Sequence, residues 1–177
     1  MLTIKIDLIA KLKNTSEFMK AYKDGDEKNV FDGKSLIFFS LSNTDLSSRY
    51  EISNFLLDKN IDVLCKNKED ETVLHVLLGQ RKHDIEKTYR LCERLIEKGV
   101  NINEKDGKGQ VALIYIIRLN KSDEELEQLY NLWFSQPNLD LTSKDSTGFS
   151  AIEYARKFPY RLSLIERMEK YESKRAY

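Results

Sequence analysis

Little in this sequence could interrupt it, staple it or charge it in one direction. With 2 Pro and 7 Gly in 177 residues there is no long flexible linker, and the length is that of one ordinary domain able to bury a core without disulfide or metal staples. The 2 Cys, Cys65 and Cys92, have neither a CxxC spacing nor neighbouring His, and both lie beside apolar residues, so reduced, partly buried thiols are expected. Neither sign of charge is in excess. Lys+Arg and Asp+Glu both total 29, and the basic surplus of a dedicated nucleic-acid binder is missing. A long apolar run is missing too. The start, MLTIKIDLIAKL, is apolar at Leu2, Ile4, Ile6, Leu8 and Ile9, but Lys5 and Asp7 break it, leaving it too short and too charged for a signal peptide or a membrane span. A cytoplasmic protein with no membrane contact is the expectation.

What the sequence does have is 33 % charged and 41 % hydrophobic residues, which suits a soluble, largely helical protein. It also has an internal repeat. Four segments align: GKSLIFFSL from Gly33, DETVLHVLL from Asp70, GQVALIYII from Gly109 and GFSAIEYAR from Gly148, with starts separated by 37, 39 and 39 residues. Each begins with a turn-compatible residue, followed two places on by Ser35, Thr72, Val111 or Ser150, and two further by an aliphatic residue: Ile37, Leu74, Leu113 or Ile152. A helix starting at that Ser/Thr position has a good N-cap in three of the four copies. Between them run ISNFLLDKNIDVL, LCERLIEKGVNIN and YNLWFSQPNLDLT, from Ile52, Leu91 and Tyr130, with apolar residues at helical spacing. Asn60, Gly99 and Asn138 stand where these helices should end, and all tolerate a left-handed C-cap. Loops of one fixed length joining helix pairs of variable spacing predict a stacked array.

At these residues the sequence resembles the ankyrin-repeat family. Thr72-Val73-Leu74-His75 is similar to that family's TPLH motif, and Glu97–Asn103 to its helix end and hairpin. Asp106-Gly107-Lys108-Gly109 and Asp145-Ser146-Thr147-Gly148 are similar to its hairpin-tip DxxG. The departures are the missing proline of each TPLH-like segment, Asp70 in place of a tip glycine, and a period longer than the family's roughly 33 residues. The resemblance implies an all-α solenoid of stacked helix pairs with short hairpin loops. Residues 1–28 form an N-terminal capping helical segment, and residues 29–177 about four repeats including the C-terminal cap, as one continuous domain. The extra residues fall between the helices of each pair, in Ser42–Ser48, Gly79–Lys87 and Asn120–Glu127. They lengthen the helices there or form a protruding polar edge. Phe18, Met19 and Tyr22 close the capping helix, Leu162, Leu164, Ile165 and Met168 give the last helix an apolar face, and Glu169–Tyr177 is a solvated end.

No segment carries a hydrolase elbow, a phosphate loop, an HExxH or a dinucleotide fingerprint. His75 falls at the position where the family's His makes structural hydrogen bonds, and His83 has no second His or paired Cys near it. The expectation is no enzyme, no catalytic residue, no metal and no cofactor. The resemblance instead implies a protein-binding concave face of hairpin tips and first helices. Carried over, it comprises Phe31, Asp32 and Lys34, then Lys68, Glu69 and Glu71, then Lys108, Gln110 and Arg118, and finally Thr147, Phe149 and Lys157. Phe31 and Phe149 are the expected anchors, since aromatics dominate binding hot spots. Phe134 is expected in the core and Trp133 packed rather than exposed. Lys outnumbers Arg 20 to 9 and Ile and Asn are frequent, which points to an AT-rich genome. Small ankyrin-type proteins of this kind resemble immunity proteins that neutralise a cognate toxin. The alternatives are a scaffold or accessory subunit of a larger complex, and an enzyme acting on a small ligand.

Overall fold

Apolar runs of five or six residues are too short to hold an isolated helix in water, and each such run is buried against partners. The computed structural model describes residues 5–175; Leu2 and Ile4 of the apolar start, and Ala176 and Tyr177 of the tail, lie outside them. The described residues are mostly helical. A first pair, α1 (Ile6–Leu12) and α2 (Thr15–Ala21), is followed by four short–long pairs: α3 (Leu36–Leu41) with α4 (Leu46–Asp58), α5 (Val73–Leu78) with α6 (Ile85–Glu97), α7 (Ala112–Ile117) with α8 (Asp123–Phe134), and α9 (Ala151–Ala155) with α10 (Leu162–Arg175). One antiparallel hairpin, β1 (Val30–Phe31) and β2 (Lys34–Ser35), precedes α3.

The chain forms two compact units, one up to Val100 and one from Asn101. In the first, α1, α3 and α5 lie side by side in one layer and α2, α4 and α6 in another. In the second, α7 packs on α9 and α8 on α10. The N-terminal cap is therefore a complete helix pair. Phe18 is buried in it and Tyr22 ends α2, its ring edge-on to Phe55 at 4.9 Å, whereas Met19 is exposed.

The short helices begin where the repeat places them, with Ser35, Thr72, Val111 and Ser150 at the N-cap. Ser150 and Glu153 cap each other reciprocally. At the matching position of the second copy, the Thr72 backbone N–H donates to His75 Nδ1 at 3.1 Å, so that nitrogen is unprotonated and Nε2 carries the proton. Ser35 does not cap: its hydroxyl donates to the Asp62 carbonyl at 2.7 Å. At the other end of the repeat, Asn60, Gly99 and Asn138 have φ of 56°, 95° and 61°. The N–H groups of Ile61 and Val100 reach back to the carbonyls of Leu56 and Leu95, the Schellman closure.

The links between paired helices are short, because residues expected there extend the long helices. α4, α6 and α8 start at Leu46, Ile85 and Asp123 under the N-caps Asp45, Asp84 and Ser122. In α10, Leu164 and Met168 are fully buried, but Leu162, in its first turn, points to solvent. The solvated end expected from Glu169 onward is helical up to Arg175. Cys65 and Cys92 are free thiols. Trp133 is fully buried, and Phe134 is half-buried with its ring edge-on to Tyr171 at 5.6 Å.

Two hairpin positions test the backbone argument in opposite directions. Asp70 has φ 57°, a conformation that costs an L side chain but not glycine, so Asp70→Gly should raise stability by about 0.5–1 kcal/mol. Gly109 has φ 75°, and a Cβ there would meet the Asp145 Cα and Ser146 N at 3.2 Å. Gly109→Ala should therefore cost more than Gly148→Ala, where the space is open. Chemical denaturation of the three variants measures both effects.

Candidate functional site

Three hairpins share one construction. The side-chain Oδ1 of Asn67 accepts the backbone N–H groups of Glu69 and Glu71 at 3.0 and 2.9 Å. That of Asp106 accepts those of Lys108 and Gln110 at 2.8 and 2.9 Å, and that of Asp145 those of Thr147 and Phe149 at 2.8 and 3.1 Å. The tips so formed expose Lys68, Glu69, Lys108 and Thr147 of the residues that the resemblance implied for binding.

Four and seven residues beyond each N-cap, the four copies carry Phe39 and Ser42, Val76 and Gly79, Tyr115 and Arg118, Tyr154 and Lys157. In the second unit these positions build a cation–aromatic cluster. Arg118 lies with its guanidinium carbon 4.6 Å from the Tyr154 ring centroid and 5.9 Å from that of Tyr115. It donates to the Tyr154 hydroxyl at 2.5 Å and to Gln110 Oε1 at 3.0 Å. Lys157 Nζ sits 3.0 Å from the Phe149 centroid and 5.0 Å from that of Tyr154. The rings continue through Phe158 to Tyr160, at centroid spacings of 6.1 and 5.5 Å. Hairpin carboxylates hold the base of the cluster: Gln110 Nε2 donates to Asp145 Oδ2 at 2.8 Å and the Tyr115 hydroxyl to Asp106 Oδ2 at 2.7 Å. Burial works against an ionised Asp145, but hydrogen bonds from Thr147, Gln110 and Phe149 outweigh it and hold the carboxyl well below the usual carboxylate range.

The residues expected to bind a partner fare unequally. Arg118, Phe149 and Lys157 come together in the cluster, with Phe149 36 % exposed. Lys108 and Thr147 are exposed at the tips, although the Thr147 hydroxyl is spent on Asp145 at 2.6 Å. Gln110 is a correction: at 5 % exposure it is a tie between repeats, held by Asp145 and Arg118, not a surface contact. In the first unit, Asp32 and Lys68 form an exposed ion pair, Glu69 is exposed, and the Glu71 carboxylate accepts from Asn67 Nδ2 at 2.7 Å. Phe31 is also corrected, since its ring is half-buried edge-on to Phe39 at 6.1 Å instead of standing free, with Lys34 Nζ 5.0 Å from the same Phe39 ring. Tyr115, Tyr154 and Tyr160 were missed; the recurrence of Tyr at one repeat position, three residues before a cation, was the available signal for the first two.

The groups with chemical potential have structural work. His83 Nε2 is 2.8 Å from the Gln80 carbonyl and Nδ1 is 3.2 Å from the Thr88 hydroxyl. Burial pushes the Cys92 thiol far above the ordinary thiol range. Among the described residues, no group of three or more His, Cys, Asp or Glu is placed to hold a metal ion, and no helix is long and apolar enough to cross a membrane.

No protein-family model matches the chain, and no curated protein matches it. It is similar to the crystal structure of a functionally unknown protein from Leptotrichia buccalis C-1013-b: identity is 28 %, the TM-score is 0.84, and the match covers 98 % of this chain and 95 % of that one.

His75→Ala should lower stability by about 1 kcal/mol, the scale of one lost structural hydrogen bond, as read by chemical denaturation. Because the Asp145 carboxyl is held low in the folded state, its stabilising contribution is present above about pH 4, its unfolded range, and fades as pH falls further toward the folded value. Asp145→Asn keeps an acceptor oxygen and should flatten the acid side of a stability–pH profile.

Proposed function

We propose that the chain is an ankyrin-type repeat solenoid that binds another protein, without catalysis of its own, through the face carrying its hairpin tips and short helices. The observation that carries this reading is the division of labour within the repeat. His75, Asp106, Asp145 and Glu153 are spent on capping and hairpin bonds, while the adjacent tip and helix edge presents Arg118 and aromatic side chains, with Phe149 36 % exposed. Arg and aromatics are the residues enriched in binding hot spots. The repeat spacing and the capped short helices favour the ankyrin type in particular. An enzyme would need a pocket of converging free polar groups. A cavity of about 260 Å³ beside the first hairpin is lined by Ser35, Asp62 and Cys65, but the Ser35 hydroxyl is already committed to the Asp62 carbonyl.

In its specific form the reading is that of an immunity protein neutralising a cognate toxin, which rests on the lysine-rich composition and the small ankyrin-like repeat. It requires a one-to-one complex, whereas a scaffold would join a larger assembly. Affinity purification from the native cell, followed by light scattering on the isolated complex, separates the two; absence of any stoichiometric partner overturns both. With the partner in hand, Phe149→Ala should weaken calorimetric affinity by about thirtyfold, near 2 kcal/mol. Lys68→Ala, at an exposed ion pair, should act mainly on the association rate.

A further inference from the structure

We infer that the group seated on the second unit's cluster is an Asp or Glu carboxylate of a protein segment, held between Arg118 and Lys157; this rests on the protein-binding reading. The two cations occupy the same repeat position, and both lie against the Tyr154 ring, at 4.6 and 5.0 Å. Neither forms an ion pair among the described residues. The carboxylates nearby are all committed: Asp106 to Tyr115 and two backbone N–H groups, Asp145 to Gln110, Thr147 and Phe149, Glu153 to Ser150, and Glu169 to Arg156. A chain with zero formal net charge thus concentrates two uncompensated positive charges on one ring.

Their hydrogen-bonding capacity is also open. A guanidinium has five N–H donors, and Arg118 spends two of its own, on Gln110 and Tyr154. The Tyr154 hydroxyl accepts from Arg118, which leaves its own proton to donate. The Lys157 ammonium lies over Phe149 without an acceptor among the described residues. A carboxylate placed here collects guanidinium, phenol and ammonium donors together, the charge-assisted kind of contact that is strongest. The exposed ring of Phe149, under Lys157, borders the seat and favours an apolar neighbour of the acidic residue. A nucleic acid fits less well. Cations already cover faces of Phe149 and Tyr154 on which bases would stack, and two charges neutralise little of a phosphate chain.

The test uses the intact chain and a displayed random peptide library. Enriched peptides should carry an Asp or Glu beside apolar residues. Remaking each with Asn or Gln should weaken binding about tenfold or more by fluorescence anisotropy. Lys157→Gln and Arg118→Gln should do the same, and the losses should not add, because variant and amide peptide remove one interaction. Raising the salt concentration should weaken the acidic peptides alone. Lys157 is exposed, so Lys157→Gln should melt like the wild type even if Arg118→Gln does not. Acidic peptides indifferent to both substitutions, or enriched peptides lacking an acidic residue, overturn the carboxylate seat while leaving protein binding intact. Failure to enrich any peptide also overturns it, and the native-cell purification then decides the broader reading separately. A labelled single-stranded oligonucleotide that binds more tightly than any peptide, and loses affinity in Lys157→Gln, overturns it in favour of a nucleic acid.

Discussion

The side-chain oxygen of Asn67, Asp106 or Asp145 accepts two backbone N–H groups from the hairpin that follows it, and the starts of α5, α7 and α9 depend on that arrangement. A loop with no sheet around it must find acceptors for its N–H groups or leave them to water. One Oδ1 supplies both, and the chain then passes through a left-handed residue, Asp70, Gly109 or Gly148, into the N-cap two residues on. Asn67 does this without a charge, so the requirement is for an acceptor at that point and not for a carboxylate. The first hairpin solves the same problem differently. It has no such residue, and instead pairs Val30 with Ser35 and Phe31 with Lys34 around Asp32 and Gly33, both left-handed, the tight turn that suits a twisted ribbon.

The links between paired helices raise a second accounting problem, because their carbonyls have no helical partner. Two buried arginines answer it. Arg49, 2 % exposed, donates to the carbonyls of Asn43 and Lys82 at 2.9 and 2.6 Å. Arg161, fully buried, donates to those of Ile117, Leu119 and Lys121 and meets the Asp123 carboxylate at 3.1 Å. A guanidinium is the one side chain able to satisfy several carbonyls at once from a fixed fork. Removing it would leave those acceptors buried and unpaired. The long helices are tied more loosely, Arg94 to Asn54 and Asp58, and Arg167 to Asn131 and Glu127, at partly exposed sites where each pair contributes little.

How far the sequence could be read follows from these two devices. Turn and cap positions demand particular backbone conformations, which few residue types tolerate, so Asn60, Gly99, Asn138 and the hairpin tips were visible by spacing alone. Helix length was less legible, since the start of α4, α6 or α8 within its inter-helix segment depends on an N-cap with several candidates nearby. Side-chain direction was least legible. Gln110 and Phe31 occupy tip positions that look exposed in one dimension, yet Asp145 lies within reach of one and Phe39 beside the other. Arg161 and Leu162 are adjacent, and the charged residue is the buried one, because only it can pair with the carbonyls of the link.

The same distinction explains where the candidate surface lies. Positions that answer a backbone requirement have one job in every copy where they occur, and their side chains are consumed by it. Four and seven residues beyond the N-cap the backbone is helix or helix end with negative φ, which any of these residue types adopts, and there the copies diverge, from Phe39 and Ser42 through Val76 and Gly79 to Tyr115 and Arg118, then Tyr154 and Lys157. Tyr and a cation recur only in the second unit, where they stack on one another, so the feature cannot be a requirement of the repeat as such. In the first unit the same face holds Phe39 under Lys34 and the exposed pair of Asp32 and Lys68, a mixed-charge surface with its cation partly compensated. Arg118 and Lys157 thus share one ring in the second unit, on positions that the fold leaves free to vary.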